Sequence, residues 1–422
     1  MAKRTLGLRK AAKAKKQKVE STTTEETSSQ PVESSKSNEL TIELPEGTDS
    51  NDEISELKGL YKTYIDSERD NELIVNGIIH ECDRILRNHK DDQTLPPIFY
   101  KIYSIALSEL TNFHTDDLKQ IKEFFEASLE RIDDGLEKYP KDIELLFTKS
   151  KILLNQIILQ YVSQLDLESK LKEDNNIAEL LDNALEIYQQ AEDKADELEN
   201  YEAFNNEEYL DILESVDDIL EIIDDFGKEE KEEEEKEEEE EEEEEQEVLE
   251  LPETHPLYPI QNTDEYNEWW RDHTITYLNN LKKLSTPQPK LLKTINQRLG
   301  QSFLQESEGP TNIYITLKFD DDYEGIEELE GLSAKEALSL SQNLIEKALE
   351  HLKEAKDEDE PESWVTIAEA MITLGNLYDV ESKEQDNLYE EAEELLRKAN
   401  NVTNGKYQEA LDNLLAKDED EE

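Results

Sequence analysis

The sequence predicts an all-α protein built from helical hairpins, and a recurring pattern of small residues is the main observation behind that prediction. The pattern, Ala-x-x-x-Tyr/Leu-x-x-Ala, occurs three times, and a looser fourth copy has Ser and Gly at its ends: Ala184/Tyr188/Ala191, Ala348/Leu352/Ala355, Ala392/Leu396/Ala399 and Ser128/Ile132/Gly135. The small residues let a neighbouring helix approach closely, and the central apolar residue fills the remaining space. Such a pattern is typical of the second helix of a tetratricopeptide hairpin.

The spacing of these copies indicates how regular the array can be. They lie 56, 164 and 44 residues apart along the chain, not at the constant spacing of about 34 residues that tetratricopeptide repeats show. We therefore expect a degenerate tetratricopeptide-like helical-hairpin array in two lobes, with a plain irregular helical bundle as the alternative. Arrays of this kind usually present extended surfaces that bind other molecules.

Apolar residues at helical spacing predict the elements of the N-terminal lobe. The periodicity begins near residue 51, and the predicted helices cover residues 71–89, 96–110, 116–139, 143–165, 177–198 and 207–226. The adjacent Pro96 and Pro97 suit a helix start, and Pro140 suits a helix exit. The helix at 143–165 is apolar on nearly all sides, so we expect it to be the central, buried helix of the lobe.

The C-terminal lobe opens with three prolines in eight residues, which impose an extended path. Apolar periodicity then predicts helices at 333–356, 361–380, 384–401 and 405–416. One segment differs, because residues 311–319 alternate large apolar residues with polar ones and tyrosine. Alternation of this kind predicts a strand or an extended connection.

An aromatic stripe stands at the start of the C-terminal lobe. Tyr266, Trp270 and Tyr277, together with His273, fall at helical spacing on one face. Two interpretations remain open: the stripe is part of the core, or it is a platform that binds a partner protein. Tyr266, Trp270 and Tyr277 are therefore the candidate partner-binding residues.

Composition divides the chain into four segments: a tail (1–50), an N-terminal helical lobe (51–227), an acidic linker (228–250) and a C-terminal helical lobe (251–422). The tail is rich in Lys, Ser, Thr and Glu with few large apolar residues, so we expect it to be disordered. Its basic residues predict a nuclear import signal; an RNA-binding arm and a tail that nothing recognises are the alternatives. The predicted signal comprises Lys3, Arg4, Arg9, Lys10, Lys13, Lys15, Lys16 and Lys18.

The formal net charge of −63 is distributed unevenly. Residues 1–18 carry +8 and residues 229–245 carry −13, which leaves −58 on the rest of the chain. A body this acidic repels phosphates, which argues against direct nucleic-acid binding and favours basic protein partners. The glutamate run itself suits an extended linker, either as a solubilising spacer or as a segment that engages a basic partner.

The sequence offers little material for chemistry or for membrane insertion. It has no phosphate-binding glycine loop, no His-Glu-x-x-His zinc motif and no Gly-x-Ser-x-Gly elbow. The single cysteine, Cys82, lies on an apolar helical face and excludes an internal disulfide. No secretory signal and no run long enough to span a membrane are present. We expect a protein that is not an enzyme and has no cofactor, metal or small-molecule substrate.

Several longer stretches resemble the enhancer of translation termination proteins of budding yeasts. The resemblance runs along nearly the whole chain, through the stretches MAKRTLGLRK (1–10), NGIIHECDRIL (76–86), IALSELTNF (105–113), HPLYPIQ (255–261), WVTIAEAMITLGNLYDVES (364–382) and KANNVTNGKYQEALDNLL (398–415). The HECDR stretch and the block that begins at Trp364 are the most specific.

The resemblance implies a nuclear factor without catalytic activity that is needed for correct stop-codon recognition and release. It implies partners among the proteins of translation termination and of ribosome or messenger-RNA metabolism, an association with a prolyl-hydroxylase-type oxygenase, and a link to hypoxic gene expression. No catalytic residue carries over. The alternative from another functional class is an acidic chaperone for basic proteins such as histones or ribosomal proteins, which the net charge favours equally.

Overall fold

The computed structural model describes residues 52–89, 94–172, 176–227, 251–320, 323, 325–380 and 382–415. The expected disordered tail and acidic linker lie outside these residues. Within them the fold is all-α, as predicted. The α-helices are α1 (Glu53–Asp66), α2 (Glu72–Asn88), α3 (Pro97–Glu109), α4 (Leu118–Lys138), α5 (Ile143–Gln156), α6 (Ile177–Glu197), α7 (Glu207–Asp224), α8 (Tyr258–Gln261), α9 (Glu265–Lys282), α10 (Pro289–Phe319), α11 (Ala334–Glu354), α12 (Pro361–Asn376), α13 (Lys383–Val402) and α14 (Gln408–Leu415).

Short polar residues fix the starts of most long helices. A side-chain oxygen at the N-cap accepts a hydrogen bond from a free backbone N–H of the first turn. Asp or Asn caps six helices of the first half, and Ser caps two of the second half: Asp52, Asn71, Asp117, Asp142, Asn176, Asn206, Ser333 and Ser382. The other long helices with a defined cap, α3, α10 and α12, begin with proline, which is preorganised for that position.

Four pairs of consecutive helices form the most extensive contacts: α3 with α4, α5 with α6, α10 with α11, and α12 with α13. In each pair the second helix carries one copy of the small-residue pattern, and all twelve pattern positions are buried. A Cβ added to Gly135 of α4 would lie 2.7 Å from the Cβ of Tyr100, and one added to Gly300 would lie 2.5 Å from the Cγ of Leu352. The pattern therefore marks the hairpins, and the close approach that it predicted is present.

The chain divides into two compact units, Met1–Trp270 and Arg271–Glu422. The N-terminal unit centres on Phe147, whose ring stacks on Tyr209 at 5.0 Å and also meets Tyr188 and Phe204. In the C-terminal unit the main core joins α11, α12 and α13 around Trp364. Helix α9 contains the point where the two units divide. The lobe boundaries expected from composition stay a prediction.

The predicted strand at residues 311–319 is wrong, because this segment is the last part of the long helix α10. Sequence reasoning also missed the first part of that helix. Ile313 is buried and Leu317 is half-buried, at a spacing of four residues, so packing of one helical face decides the conformation although alternate residues are apolar. Pro310 lies within the helix, although a proline there removes one backbone hydrogen bond and its ring crowds the carbonyl four residues earlier.

The structure also contains a short β-hairpin that the sequence reasoning did not predict. Strands β1 (Glu328–Leu329) and β2 (Leu332–Ser333) pair antiparallel. Between them Glu330 and Gly331 have φ values of 52° and 81°, as a tight two-residue hairpin turn requires.

Helix α5 differs more modestly from its prediction: it continues past Gln156 as a π-helical turn and then a 3₁₀ turn, at Ile157–Tyr161 and Val162–Gln164.

Candidate functional site

The eight basic residues of the predicted nuclear signal lie outside the described residues. Their role stays a prediction from the sequence. The described part of the chain contains two features that could serve a function: the aromatic stripe on α9 and a cluster of buried charges in the core of the N-terminal unit.

The three candidate partner-binding residues lie on α9 in different environments. Trp270 is buried, with 3% of its surface exposed, and its indole N–H donates to the carbonyl of Leu213 in α7 at 2.8 Å. Tyr277 is fully buried. Tyr266 is half-buried, and its hydroxyl donates to Asp182 in α6 at 2.9 Å. Burial favours the core interpretation for Trp270 and Tyr277, and the partner-binding role of the stripe stays a prediction.

Sequence reasoning missed another aromatic residue of this helix, Trp269. Its ring meets Tyr188 edge-on, with 5.6 Å between the ring centroids and an angle of 71° between the planes. Tyr188 is the central residue of one copy of the small-residue pattern. The signal was available, because Trp269 follows Tyr266 by three residues and therefore shares its side of the helix. The start of α9 is thus attached to both α6 and α7.

A buried lysine joins three helices in the core of the N-terminal unit. Lys101 of α3 is 4% exposed, and its ammonium lies 2.8 Å from Glu208 and 3.3 Å from Glu144. The same ammonium donates to the hydroxyl of Tyr209 at 2.8 Å. An ammonium has three N–H donors, so Lys101 has one acceptor for each. Tyr209 in turn donates to Glu144 at 2.9 Å, and Tyr61 donates to Glu208 at 2.7 Å.

The electrostatics of this cluster shift the pKa values of Glu208, Tyr61 and Tyr209. Burial alone would raise the pKa of Glu208, but the Lys101 ammonium and the Tyr61 hydroxyl outweigh it and hold that pKa below its usual value. Burial, reinforced by the nearby carboxylates, raises the pKa of both Tyr61 and Tyr209. The raised pKa values keep both tyrosines protonated, as donors to Glu208 and Glu144.

A second set of charges lies beside the first. Arg69 forms an ion pair with Asp211 at 3.1 Å. Lys151 donates to the carbonyl of Asp211 at 3.1 Å and to the hydroxyl of Ser215 at 2.5 Å, and burial lowers its pKa. Glu109 accepts from the hydroxyl of Tyr64 at 3.0 Å.

A small cleft lies among these side chains. Its volume of about 30 Å³ is lined by Tyr61, Arg69, Ile105, Ser108, Glu109, Thr148, Lys151, Ile152, Asn155, Glu208, Tyr209 and Ile212. The Oγ of Ser108 and the Oδ1 of Asn155 are buried there and have no hydrogen-bond partner in the protein. A cavity of this volume, with Ser108 and Asn155 unpaired in its wall, has room for one or a few ordered water molecules. Through these contacts the cluster links α3, α5 and α7.

None of the residues in the charged cluster was a candidate from the sequence. A signal existed, because Lys101 interrupts an otherwise apolar stretch of α3, and a polar residue at a core position is the informative exception. In the part of the chain that the structure describes, no group of three or more His, Cys, Asp or Glu side chains could hold a metal ion. No described helix is long and apolar enough to cross a membrane.

Comparison with known proteins supplies the family. Residues 1–415 match the family model described as nuclear pore complex subunit Nro1. Among curated relatives, enhancer of translation termination 1 of Candida albicans (strain SC5314) is 62% identical over 420 residues, which cover 98% of this chain and all of that protein. The protein of the same name from Lodderomyces elongisporus is 56% identical over 487 residues, again covering 98% of this chain.

Two solved structures share the fold. One is the S. pombe nuclear import adaptor Nro1, with a TM-score of 0.55 and 17% identity, which covers 86% of this chain and 98% of that chain. The other is described as the hypoxic regulator of sterol synthesis Nro1, a nuclear import adaptor, with a TM-score of 0.53 and 16% identity over 83% of this chain and 89% of that chain. At such identities these structures support the helical architecture alone.

The comparisons confirm two predictions from the sequence. The resemblance to the enhancers of translation termination extends over the full chain, and the description of the matching family as a nuclear pore complex subunit confirms the nuclear location. The chain therefore belongs to the Nro1 family and is a relative of the enhancer of translation termination 1 proteins of budding yeasts.

Proposed function

We propose that this chain is an adaptor protein without catalytic activity that supports correct translation termination through the proteins that it binds. The observation that carries the proposal is the high identity to enhancer of translation termination 1 of Candida albicans along the whole chain. The finer role is stop-codon recognition and release, in association with proteins of the termination machinery and of ribosome or messenger-RNA metabolism.

The proposal extends to nuclear transport and to hypoxic gene expression. The S. pombe structural neighbour is described as a nuclear import adaptor and as a hypoxic regulator of sterol synthesis. We propose that this chain likewise enters the nucleus with a bound protein, and that a prolyl-hydroxylase-type oxygenase is one such partner, as the sequence resemblance implies. The eight basic residues within positions 1–18 would supply the import signal.

The architecture supports a binding role over a catalytic one. The helical hairpins are of a kind that commonly presents binding surfaces. In the buried cluster, Lys101, Glu208 and Tyr209 are each engaged by fixed partners, and the adjoining cleft is too small for a substrate.

Stop-codon readthrough tests the termination role. A dual-reporter assay in a yeast that lacks this protein should show raised readthrough, and the wild-type chain should restore the normal level. If a variant chain that cannot enter the nucleus also restores normal readthrough, the termination role lies in the cytoplasm. Unchanged readthrough on deletion of the protein would overturn the proposal.

The nuclear signal has its own test. Replacement of Lys13, Lys15, Lys16 and Lys18 by Ala should move a fluorescent fusion, and any protein that it carries, from the nucleus to the cytoplasm. As a matched control, four lysines of the body, for example Lys119, Lys122, Lys335 and Lys383, should be replaceable without that effect, because they lie exposed on the helical surface. An unchanged nuclear fluorescence of the first variant would refute the assigned signal.

The acidic chaperone is the second candidate, and the net charge of −63 favours it. Deletion of residues 229–245 distinguishes the two. An adaptor should associate with its partner more slowly and with weaker salt dependence after the deletion, while dissociation stays near the wild-type rate. A deletion variant that loses all binding at every salt concentration, with its helical content unchanged, would favour the chaperone.

A further inference from the structure

The turn between α10 and α11 exposes several large apolar side chains close together. Ile315, Phe319 and Ile326 are exposed large apolar residues that lie within twelve residues of sequence. Their exposed fractions are 47%, 69% and 46%. Exposed apolar residues that stand singly are ordinary features of a protein surface, whereas a cluster indicates an interaction site. Val380 and Val402 of the same unit are exposed as well, but they stand apart in sequence.

The fold holds these side chains in place. Ile315 and Phe319 are four residues apart on α10 and share one side of the helix. The ring of Phe319 meets Tyr314 edge-on at 6.1 Å, and Tyr314 packs against the main core of the C-terminal unit. The backbone N–H of Ile326 donates to the carbonyl of Tyr323 at 3.0 Å.

The following β-hairpin is anchored to both helices. Strands β1 and β2 contact α10, and β2 also contacts α11. Ser333 ends β2 and caps α11 through a reciprocal pair of hydrogen bonds with Glu336. The carboxylates of β1 and of the hairpin turn are therefore presented from a defined backbone.

The stretch of sequence that contains Phe319 and Ile326 is strongly acidic. Residues 318–336 contain eight Asp and Glu and only two Lys. Besides Glu336, which caps α11, four of these carboxylates lie exposed in the described residues, at Asp320, Glu327, Glu328 and Glu330. We call these four carboxylates together with Ile315, Phe319 and Ile326 the tip surface. An apolar centre with a charged rim is the usual anatomy of a protein-binding patch.

We propose that the tip surface binds a basic segment of a partner protein, which places a large apolar side chain against Phe319 and Ile326 while its Lys or Arg residues face the surrounding carboxylates. Charge complementarity selects this occupant, because the local excess of acids repels acidic or phosphate-bearing ligands. The inference rests on the proposed adaptor function and names a surface on which that function would act.

Binding of two synthetic peptides to the purified full-length protein tests the proposal. One is a fluorescein-labelled amphipathic helix of Leu and Lys, and the other is an oligolysine of equal charge. The wild-type protein should bind the Leu/Lys peptide about ten-fold more tightly, because an apolar anchor supplies the energy of a central contact. Phe319→Ser with Ile326→Ser should remove that advantage, whereas the matched control Val380→Ser with Val402→Ser should keep it.

A second pair of variants tests the carboxylates. The double variant Glu327→Gln, Glu328→Gln should slow the association of both peptides and weaken the salt dependence of the association rate. The control is Glu390→Gln with Glu394→Gln, at two exposed positions of α13, and its effect should be smaller. All of these side chains lie on the surface, so circular dichroism should show unchanged helical content.

Three results would overturn the proposal. If the protein binds the two peptides with equal affinity, charge alone attracts them. If Val380→Ser with Val402→Ser removes the preference for the Leu/Lys peptide as fully as Phe319→Ser with Ile326→Ser does, the apolar contact does not lie at the tip surface. Binding that appears only after Lys13, Lys15, Lys16 and Lys18 are replaced by Ala would show that the chain's own tail is the occupant. Because peptide binding is measured on purified protein, its outcome is independent of the readthrough and import tests.

Discussion

The N-terminal and C-terminal units can be compared through the polar residues that each one buries. In the N-terminal unit the buried polar residues include five charged ones: Lys101, Glu109, Glu192, Glu214 and Asp218. In the described part of the C-terminal unit the buried polar residues are all uncharged: Thr274, Asn280, Asn296, Ser307, Ser341 and Asn400. Both units nevertheless use the same small-residue pattern on the second helix of their hairpins.

The comparison separates two ways to hold helices together. A buried charge is stable only when its partners are correctly placed, so the ion pairs of Lys101 fix the relative positions of α3, α5 and α7 at a cost in desolvation. In the described part of the C-terminal unit the basic partners of the ion pairs are more exposed than Lys101: Arg271 keeps 12% in its pair with Glu306, and Lys293 keeps 28% in its pair with Asp357. There the helices depend on apolar packing, and especially on the close approach of Gly300 and Gly375 to the next helix.

The largest effect should follow from loss of the buried lysine. Lys101→Met should lower the free energy of unfolding of the N-terminal unit by about 3–5 kcal/mol, because it leaves Glu208, only 19% exposed, without its nearest counter-charge. Hydrogen exchange, followed separately in the two units, would measure the loss. The surface variant Lys122→Met, whose partner Glu126 is exposed, should have little effect.

Acidification should sharpen this result. In the wild type the pKa of Glu208 is held below its usual value, so its contribution is present at neutral pH and is lost as the pH falls through that lowered pKa. Without Lys101, only Tyr61 and Arg69 oppose the effect of burial on Glu208. Its pKa should therefore rise relative to the wild type, and the penalty of the variant should shrink as the pH falls through that pKa. A penalty that is independent of pH would show that lost packing, not the uncompensated charge, causes the instability.

A smaller loss should follow from a bulky residue at a pattern position of the C-terminal unit. Ala392 is fully buried, so Ala392→Phe should overpack the α12–α13 hairpin and lower the free energy of unfolding by about 1–3 kcal/mol. Glu390→Phe, at an exposed position of the same helix, is the control and should be milder. Equal losses in thermal denaturation would contradict the assignment of the buried face.

A single methyl group should be enough to perturb the closest contact. In Gly300→Ala the new Cβ would lie 2.5 Å from the Cγ of Leu352 and 3.2 Å from the backbone oxygen of Ala348. The strain should exceed the gain in helix propensity, for a net loss of about 1 kcal/mol. Gly77→Ala is the matched control, because a Cβ there has nothing within 4 Å, and it should stabilise α2 by up to about 1 kcal/mol. If both variants change the free energy of unfolding in the same direction, the close-approach interpretation is refuted.

Local patterns predicted the hairpins well because each copy of the pattern reports a contact between neighbouring helices. Ala348, Ala392 and Gly135 are small for the reason that the sequence suggested. Residues 311–319 could not be predicted in this way, because their alternation suits a strand and only packing on α11 selects the helix. The buried cluster was missed for a related reason: Lys101 and Glu208 are more than 100 residues apart, and only the fold brings them together.

The weakest expected effect completes the comparison, because it concerns an ion pair of nearly the same length as the buried one. Lys406 lies 2.6 Å from Glu362, and the two side chains are 57% and 77% exposed. Lys101 lies 2.8 Å from Glu208, with 5% and 19% exposed. Water and salt screen the exposed pair, so its formation changes stability little.

Lys406→Gln should therefore leave the melting temperature of the C-terminal unit unchanged, at low and at high salt alike. Thermal denaturation should compare this variant with Lys101→Met, because the two ion pairs have nearly the same length and differ mainly in their burial. If Lys406→Gln destabilised its unit as strongly as Lys101→Met destabilises the other, ion pairing would matter equally in both units. The contrast between charged and uncharged cores would then fail as an explanation of how their hairpins are held.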